Sequence, residues 1–317
     1  MKVLVTGADG FVGRHLVRRL LQSGEEVAAA CRPGGPTVDW SDGVPAAAAV
    51  RMLPLELTET ASVEQALAWG PDAVVHLAAV ASTREARQDP GAAWVTNAAG
   101  TARLAAAAAA RREAGQGDPL VLLVSTGEVY GAASPAPRVE SDPLLPLSPY
   151  AASKVGAEVA VLEAWRRTGL RVIIARPFPH TGPGQSPHYA VPAFAERLSA
   201  ARSSGAVTVP TGNLEPVRDF LDVRDVVEAY RLLLSRGVPG EAYNVARGSG
   251  VTMAEVFRLL AGIIGSGAAP RPDPSLVRNV DIPYLVGDST KLRRATAWAP
   301  AIGLEQTLRE LVNAQAH

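Results

Sequence analysis

The sequence predicts an α/β protein, a doubly wound parallel sheet with a smaller, discontinuous C-terminal part. Three observations carry that expectation. Short apolar runs alternate with helical stretches through the first half of the chain, the pattern of βαβ units. A glycine-rich turn joins the first strand to the first helix. The character then changes after Arg176, where Pro, Gly and His punctuate residues 177–187.

Taken in order, strands are expected at Lys2–Thr6, 26–30, 50–53, 73–77, 120–125 and 171–175. Helices are expected between them at 12–23, 61–69, 93–114 and 150–168. The alanine run 105–110 is a strong helix former and no linker. Residues 33–45, rich in Gly, Pro and Asp, read as a surface excursion after the second strand. Beyond Arg176, helices are expected near 191–201 and 223–235, a flexible stretch at 265–274, and a last amphipathic helix at 304–314. Residues 1–176 thus form one expected domain, its sheet completed by segments near 215–246. Residues 177–317 form mainly a second one over the strand ends, where open α/β sheets hold their ligands.

Composition excludes several function classes. At 317 residues with 47% hydrophobic and 20% charged residues, the chain has ample core, and its formal net charge is zero. No basic patch points to nucleic acid and no polybasic or amphipathic segment to a membrane surface. Cys31 is the single cysteine, which excludes an internal disulfide and a cysteine-rich metal site. No His/Asp/Glu cluster has metal-ligand spacing, so no metal is expected. No apolar run reaches about 18 residues, and a strand-like segment starts at Lys2; a cytoplasmic protein is expected.

Gly7-Ala-Asp-Gly10-Phe11-Val12-Gly13 has the spacing GxxGxxG between a strand and an apolar helix. Glycines let the backbone approach a pyrophosphate, and the helix N-terminus supplies amide donors and a positive dipole. Residues 1–176 therefore read as a dinucleotide-binding Rossmann domain, with Gly7, Gly10, Phe11 and Val12 at the cofactor. An acidic residue at the end of the second strand would bind an NAD ribose, whereas an arginine accommodates a 2′-phosphate. The segment Ala28-Ala-Ala-Cys-Arg32 has no carboxylate and offers Arg32, so NADP(H) is favoured and NAD(H) stays possible.

Lysine is almost absent: Lys2, Lys154 and Lys291 are the only ones among 31 basic residues. Lys154 follows Tyr150 by four residues in a helical segment, so the two share a face. A nearby ammonium favours phenolate and would pull the tyrosine pKa down from about 10, making Tyr150 a proton-transfer group.

Together these residues resemble the extended short-chain dehydrogenase/reductase family, whose members act on nucleotide sugars. The resemblance spans essentially the whole chain. It rests on the glycine loop, His76-Leu-Ala-Ala79, Asn97, Ser125-Thr-Gly-Glu-Val-Tyr-Gly131, Tyr150-xxx-Lys154 and Arg176-Pro177. It implies that Leu77, Ala78 and Ala79 pass beside the cofactor, that Arg176 also lies there, and that Asn97 is mainly structural. It implies Tyr150 as general acid, with Lys154 lowering its pKa and holding the nicotinamide ribose. Thr126 would donate a second hydrogen bond to the reacting oxygen. Ser125 competes for that role, but strand alternation points it to the other face. A homodimer built from the helices over 93–114 and 150–168 is implied as well.

Residues 176–187, 217–225 and 278–283 resemble members that reduce a GDP-linked 4-keto-6-deoxy sugar to GDP-D-rhamnose. One departure is Pro179, where an asparagine is usual. The resemblance implies His180, Gln185, Arg218 and Arg278 at the substrate, the arginines as a diphosphate clamp. Glu128 fits a dehydratase, as acid/base at C5 and C6, and is also retained in reductases. The expectation is thus an NADPH-dependent reductase of a GDP-linked sugar. The alternatives are a 4,6-dehydratase or 4-epimerase with retained dinucleotide, or a non-catalytic dinucleotide sensor, against which the Tyr150–Lys154 pair argues.

Overall fold

The computed structural model describes residues 1–35, 38–40, 50–132, 135–277 and 281–315. Seven strands form the central sheet: β1 (Lys2–Thr6), β2 (Glu26–Cys31), β3 (Val50–Pro54), β4 (Ala73–His76), β5 (Leu120–Val124), β6 (Val172–Pro177) and β7 (Ala242–Val245). Their order is β7-β6-β5-β4-β1-β2-β3, and every pairing is parallel. The chain winds outward both ways from the β1–β4 neighbours, as in a Rossmann sheet. That switch point is where such sheets open a crevice beyond the strands' carboxyl ends. The predicted fold class is the observed one.

The strands are apolar on both sides, as a sheet covered by helices requires. On one face, Val3, Val5, Val75, Leu122 and Ile173 pack against α1 (Phe11–Gln22) and α6 (Val223–Arg236). On the other, Leu4, Val74, Val121 and Val172 meet α2 (Thr60–Leu67), α3 (Gly100–Glu113) and α4 (Pro149–Thr168). The alanines serve that second face: Ala105, Ala107, Ala108 and Ala109 are buried. A separate cluster joins α5 (Ala190–Ser204), α7 (Met253–Ile264) and α8 (Leu304–Gln315) through Phe194, Leu198, Phe257, Leu260 and Leu308.

The structure departs from the sequence reading in three places. The single helix expected over 93–114 is a short helix (Pro90–Trp94), one π-helical turn (Val95–Ala99) and then α3. The inserted residue fits a functional site, where π-bulges concentrate. A helix at Thr83–Gln88 went unpredicted; Ser82 caps it by accepting the Glu85 amide N–H. The stretch read as flexible, 265–274, contains a strand, Ala269–Pro272, paired in parallel with Thr208–Thr211. The excursion read at 33–45 falls largely outside the described residues.

Candidate active site

The glycine loop is a close-packed crossing. Gly7 has φ +65°, and a Cβ there would lie 2.9 Å from the Ala78 backbone; a Cβ on Gly13 would lie 2.3 Å from the Gly7 carbonyl oxygen. Only glycine permits the turn and this contact with the loop after β4. Helix α1 follows with Gly10 as its cap, no side-chain cap bond and no acidic residue in its first turn. Its leading amides and positive dipole end are therefore left for an anion, and the cradle fits a dinucleotide pyrophosphate.

A buried hydrogen-bond chain holds the loop after β4 against this turn. Thr101 donates to the Asn97 carbonyl (2.5 Å), so His76 Nε2–H must donate to Thr101 (3.0 Å). His76 Nδ1 then accepts from Thr6 (2.8 Å), and Thr6 Oγ1 accepts the Ala78 N–H (3.1 Å). That network assigns the tautomer. Burial, with the Lys154 charge nearby, pushes His76 down to about 3, which keeps it neutral. Asn97, in the π turn, grips the Val80 backbone at both its N–H (2.7 Å) and its carbonyl (3.1 Å). It also donates to Ser153 (2.9 Å), which donates to the Tyr150 carbonyl (2.7 Å). Asn97 thus ties the loop after β4 to the helix Pro149–Thr168.

Ser148 caps α4 by accepting the Ala151 amide N–H, and Pro149 opens the first turn, which places Tyr150 at the crevice. Thr126 follows β5 and caps a 3-10 turn, Gly127–Tyr130, accepting the Glu128 N–H at 3.2 Å. The Thr126 hydroxyl lies on the Tyr150 side of the site and acts to lower the phenol's pKa. The Tyr150 pKa lies well above its usual value: burial raises it most, the charges of Glu128 and Tyr189 add to that, and Thr126 opposes. Lys154 shares the helix face, and the raised pKa of Tyr150 follows from its burial and the acidic groups around it. Its own pKa falls to about 8 through burial, partly offset by Glu158. Lys154 is 3% exposed, and its ammonium has no hydrogen-bond acceptor among the described residues. A largely buried lysine one turn from Tyr150, with no hydrogen bond to the described residues, fits a group whose donors are left to hold a ribose.

Other sequence-predicted residues are placed differently. Arg176 does not present its guanidinium to the cofactor. It bonds both Glu158 oxygens (3.1 and 2.7 Å), the Tyr130 hydroxyl (2.9 Å) and the Glu140 carbonyl (3.0 Å), and is buried. Ser125 joins the same network, donating to Glu158 at 2.5 Å, on the face opposite Thr126 as alternation requires. His180 stacks on Phe11 (centroids 6.3 Å apart) with Nδ1 against the Phe178 carbonyl, so it stands beside the glycine-loop helix. Gln185 closes its own loop, accepting from Thr181 (2.6 Å) and donating to the His180 carbonyl (3.2 Å). Arg218 pairs with Asp281 at 2.6 Å and bonds the Ile282 carbonyl, so its guanidinium already has a carboxylate partner within the protein. It does line one cavity with Glu128, Thr83, Arg87 and Pro179. Arg278 lies outside the described residues.

Arg32 is largely exposed, and its nearest carboxylate is Glu56, 3.8 Å away. Glu56 went unnoticed in the sequence because the cofactor reading stopped at the second strand. The parallel register Cys31↔Pro54 brings the ends of β2 and β3 together, and that pairing was the available signal. Thr83 and Arg87 were missed with their helix.

Residues 3–246 match the model of the NAD dependent epimerase/dehydratase family. The chain belongs to that family. It is accordingly an enzyme that works with a nicotinamide dinucleotide, and the expected family resemblance holds. It is 34% identical to the GDP-6-deoxy-D-mannose reductase of Pseudomonas aeruginosa, over 98% of this chain and 96% of that one. It is 30% identical to the UDP-glucose 4-epimerase of Mycolicibacterium smegmatis, over 98% and 97%. Among solved structures, RMD from Pseudomonas aeruginosa complexed with NADPH matches with a TM-score of 0.81 and 31% identity, covering 99% and 98%. Among the described residues no helix is long and apolar enough to cross a membrane.

Proposed function

We propose that this enzyme reduces the C4 keto group of a GDP-linked 4-keto-6-deoxy sugar with NADPH. The observation that carries the reading is Tyr150: buried and held well above its usual pKa, it is a protonated phenol at working pH. Reduction of a carbonyl needs such an acid. The full-length likeness to the Pseudomonas reductase supports the substrate class, and the NADPH in its structural relative supports the cofactor.

In this reading the glycine loop and the first turn of α1 hold the pyrophosphate, Arg32 meets the 2′-phosphate, and Lys154 holds the nicotinamide ribose. NADPH supplies the hydride. Tyr150 gives its proton to the sugar C4 oxygen, and Thr126 donates to the same oxygen as charge develops on it. The phenolate is then reprotonated from solvent. Glu128 is the substrate-side carboxylate, with Arg218 and Arg278 toward the diphosphate. Glu128 also supports a second reading, a dehydratase that keeps its dinucleotide, because it reaches Tyr150 electrostatically and lines the same cavity as Arg218.

We further propose a cytoplasmic homodimer. Trp94, Val95 and Val159 are exposed on the helices beside α3 and on α4, which supports pairing through them. Tyr150→Phe should abolish turnover, by at least about a thousandfold for a lost acid, while NADPH binding followed by fluorescence changes little. Full turnover in that variant would contradict the mechanism.

A further inference from the structure

The cavity that Arg218 lines is walled from two directions. On the Rossmann side stand the helix Thr83–Gln88, Glu128 and Ser148; on the other is the small sheet in which Arg218 is paired with Leu285 and Val251. Ser148 caps α4 two residues before Tyr150, and Glu128 follows Thr126 by two, so the cavity adjoins the segments that carry both hydroxyls. Thr83 and Arg87 lie one helical turn apart and share a face, and both line the cavity. Ala86 on the same helix is fully buried and Ser82 caps its first turn, which fixes the backbone that presents them. Arg87 is exposed, so a ligand arriving from solvent can reach its guanidinium. Among the described residues the charged lining is Arg87, Arg218, Glu128 and Asp281. These charges cancel, and Arg218 is already held by Asp281 at 2.6 Å. A diphosphate entering here meets no general positive field and must be held by direct contacts, for which a guanidinium fork has the matching geometry.

We infer that Arg87 is a substrate-binding residue, its guanidinium donating hydrogen bonds to the diphosphate of the nucleotide sugar from the wall opposite Arg218. The sugar then extends past Glu128 toward Tyr150. The inference rests on the proposed nucleotide-sugar substrate, and the contact is the same whichever base the nucleotide carries.

Arg87→Gln tests it, with Arg87→Lys beside it. GDP, UDP and dTDP are titrated into the wild type by calorimetry, and the one bound most tightly is carried to the variants. Arg87→Gln should bind that diphosphate about tenfold more weakly, the worth of a hydrogen bond to a charged group at an open site. KM for the matching nucleotide sugar should rise by a similar factor, with kcat changing less. Arg87→Lys keeps the charge and loses the fork, so its affinity should fall between the two. NADPH affinity and the melting temperature should not move, because the side chain is exposed and stands on the substrate side. A wild type that prefers UDP or dTDP would count against a GDP-linked substrate, and Arg87 is then judged on that nucleotide. Unchanged diphosphate affinity in Arg87→Gln would overturn the inference, even if KM rose, because the contact would then be with the sugar. So would an equal loss of NADPH affinity, or a wild type that binds none of the three diphosphates.

Discussion

Lys154 and Arg176 are both buried cations within reach of one carboxylate, Glu158, and they are bonded in opposite ways. Arg176 has every nitrogen of its fork engaged, to Glu158, Tyr130 and the Glu140 carbonyl. Lys154, on the same side of the crevice, has only the charge of Glu158 and no hydrogen-bond acceptor among the described residues. A planar fork can saturate itself inside a fold, whereas a point charge on a flexible stem keeps donors for a visitor. In the proposed reading, the saturated residue holds the fold and the one with free donors is left for the ligand. The rarity of lysine in this chain fits the same division.

The strongest way to break the comparison is Arg176→Met, which strands the Glu158 carboxylate in the core. The protein should lose about 3–5 kcal/mol, read by chemical denaturation. A loss below about 1 kcal/mol would mean the network is less structural than its geometry.

Lys154→Met should act in the other direction on stability while removing activity. Burial holds the folded Lys154 pKa near 8, against an ordinary value of 10.5 for an exposed lysine. The unfolded chain therefore binds that proton more tightly, and the penalty is fully present below pH 8. It disappears as pH rises from about 8 toward 10.5. At neutral pH the variant without cofactor should be more stable by up to about 3 kcal/mol, since a tenfold difference in proton affinity is worth about 1.4 kcal/mol. The two stability curves should converge above about pH 10. A destabilised variant would show that Lys154 has a partner in the protein.

The same titration sharpens the functional side. NADPH affinity of the wild type should decline severalfold as pH rises through about 8, where the ammonium is lost; in Lys154→Met the decline should flatten. Smallest of all is Gln185→Ala. Its amide only closes its own loop, so stability should change by about 1 kcal/mol or less and the KM for sugar very little. A large rise in KM would restore Gln185 to the substrate.

What the sequence made legible was local. The glycine loop and the Tyr150–Lys154 pair each sit at a fixed offset from a strand or helix end, so their spacing is visible in the sequence, and the family resemblance adds Thr126. The residues read differently depend on partners far along the chain. Arg218 is neutralised by Asp281, 63 positions away, and Arg176 by Glu158 through a neighbouring helix. Glu56 became visible only once the β2–β3 register was known. The tuning of Tyr150 also escaped, because one helical turn predicts a shared face and says nothing of burial. The phenol is raised by its surroundings and by Glu128, and that direction suits an acid.

The central claim is that the enzyme exchanges its dinucleotide and uses it to reduce a sugar ketone. The purified protein should be given GDP-4-keto-6-deoxymannose with NADPH and, separately, GDP-mannose alone. Stoichiometric oxidation of NADPH with the first, and no reaction with the second, is the predicted result. Formation of a 4-keto product from GDP-mannose without net change in NADPH would contradict it and make the enzyme a dehydratase.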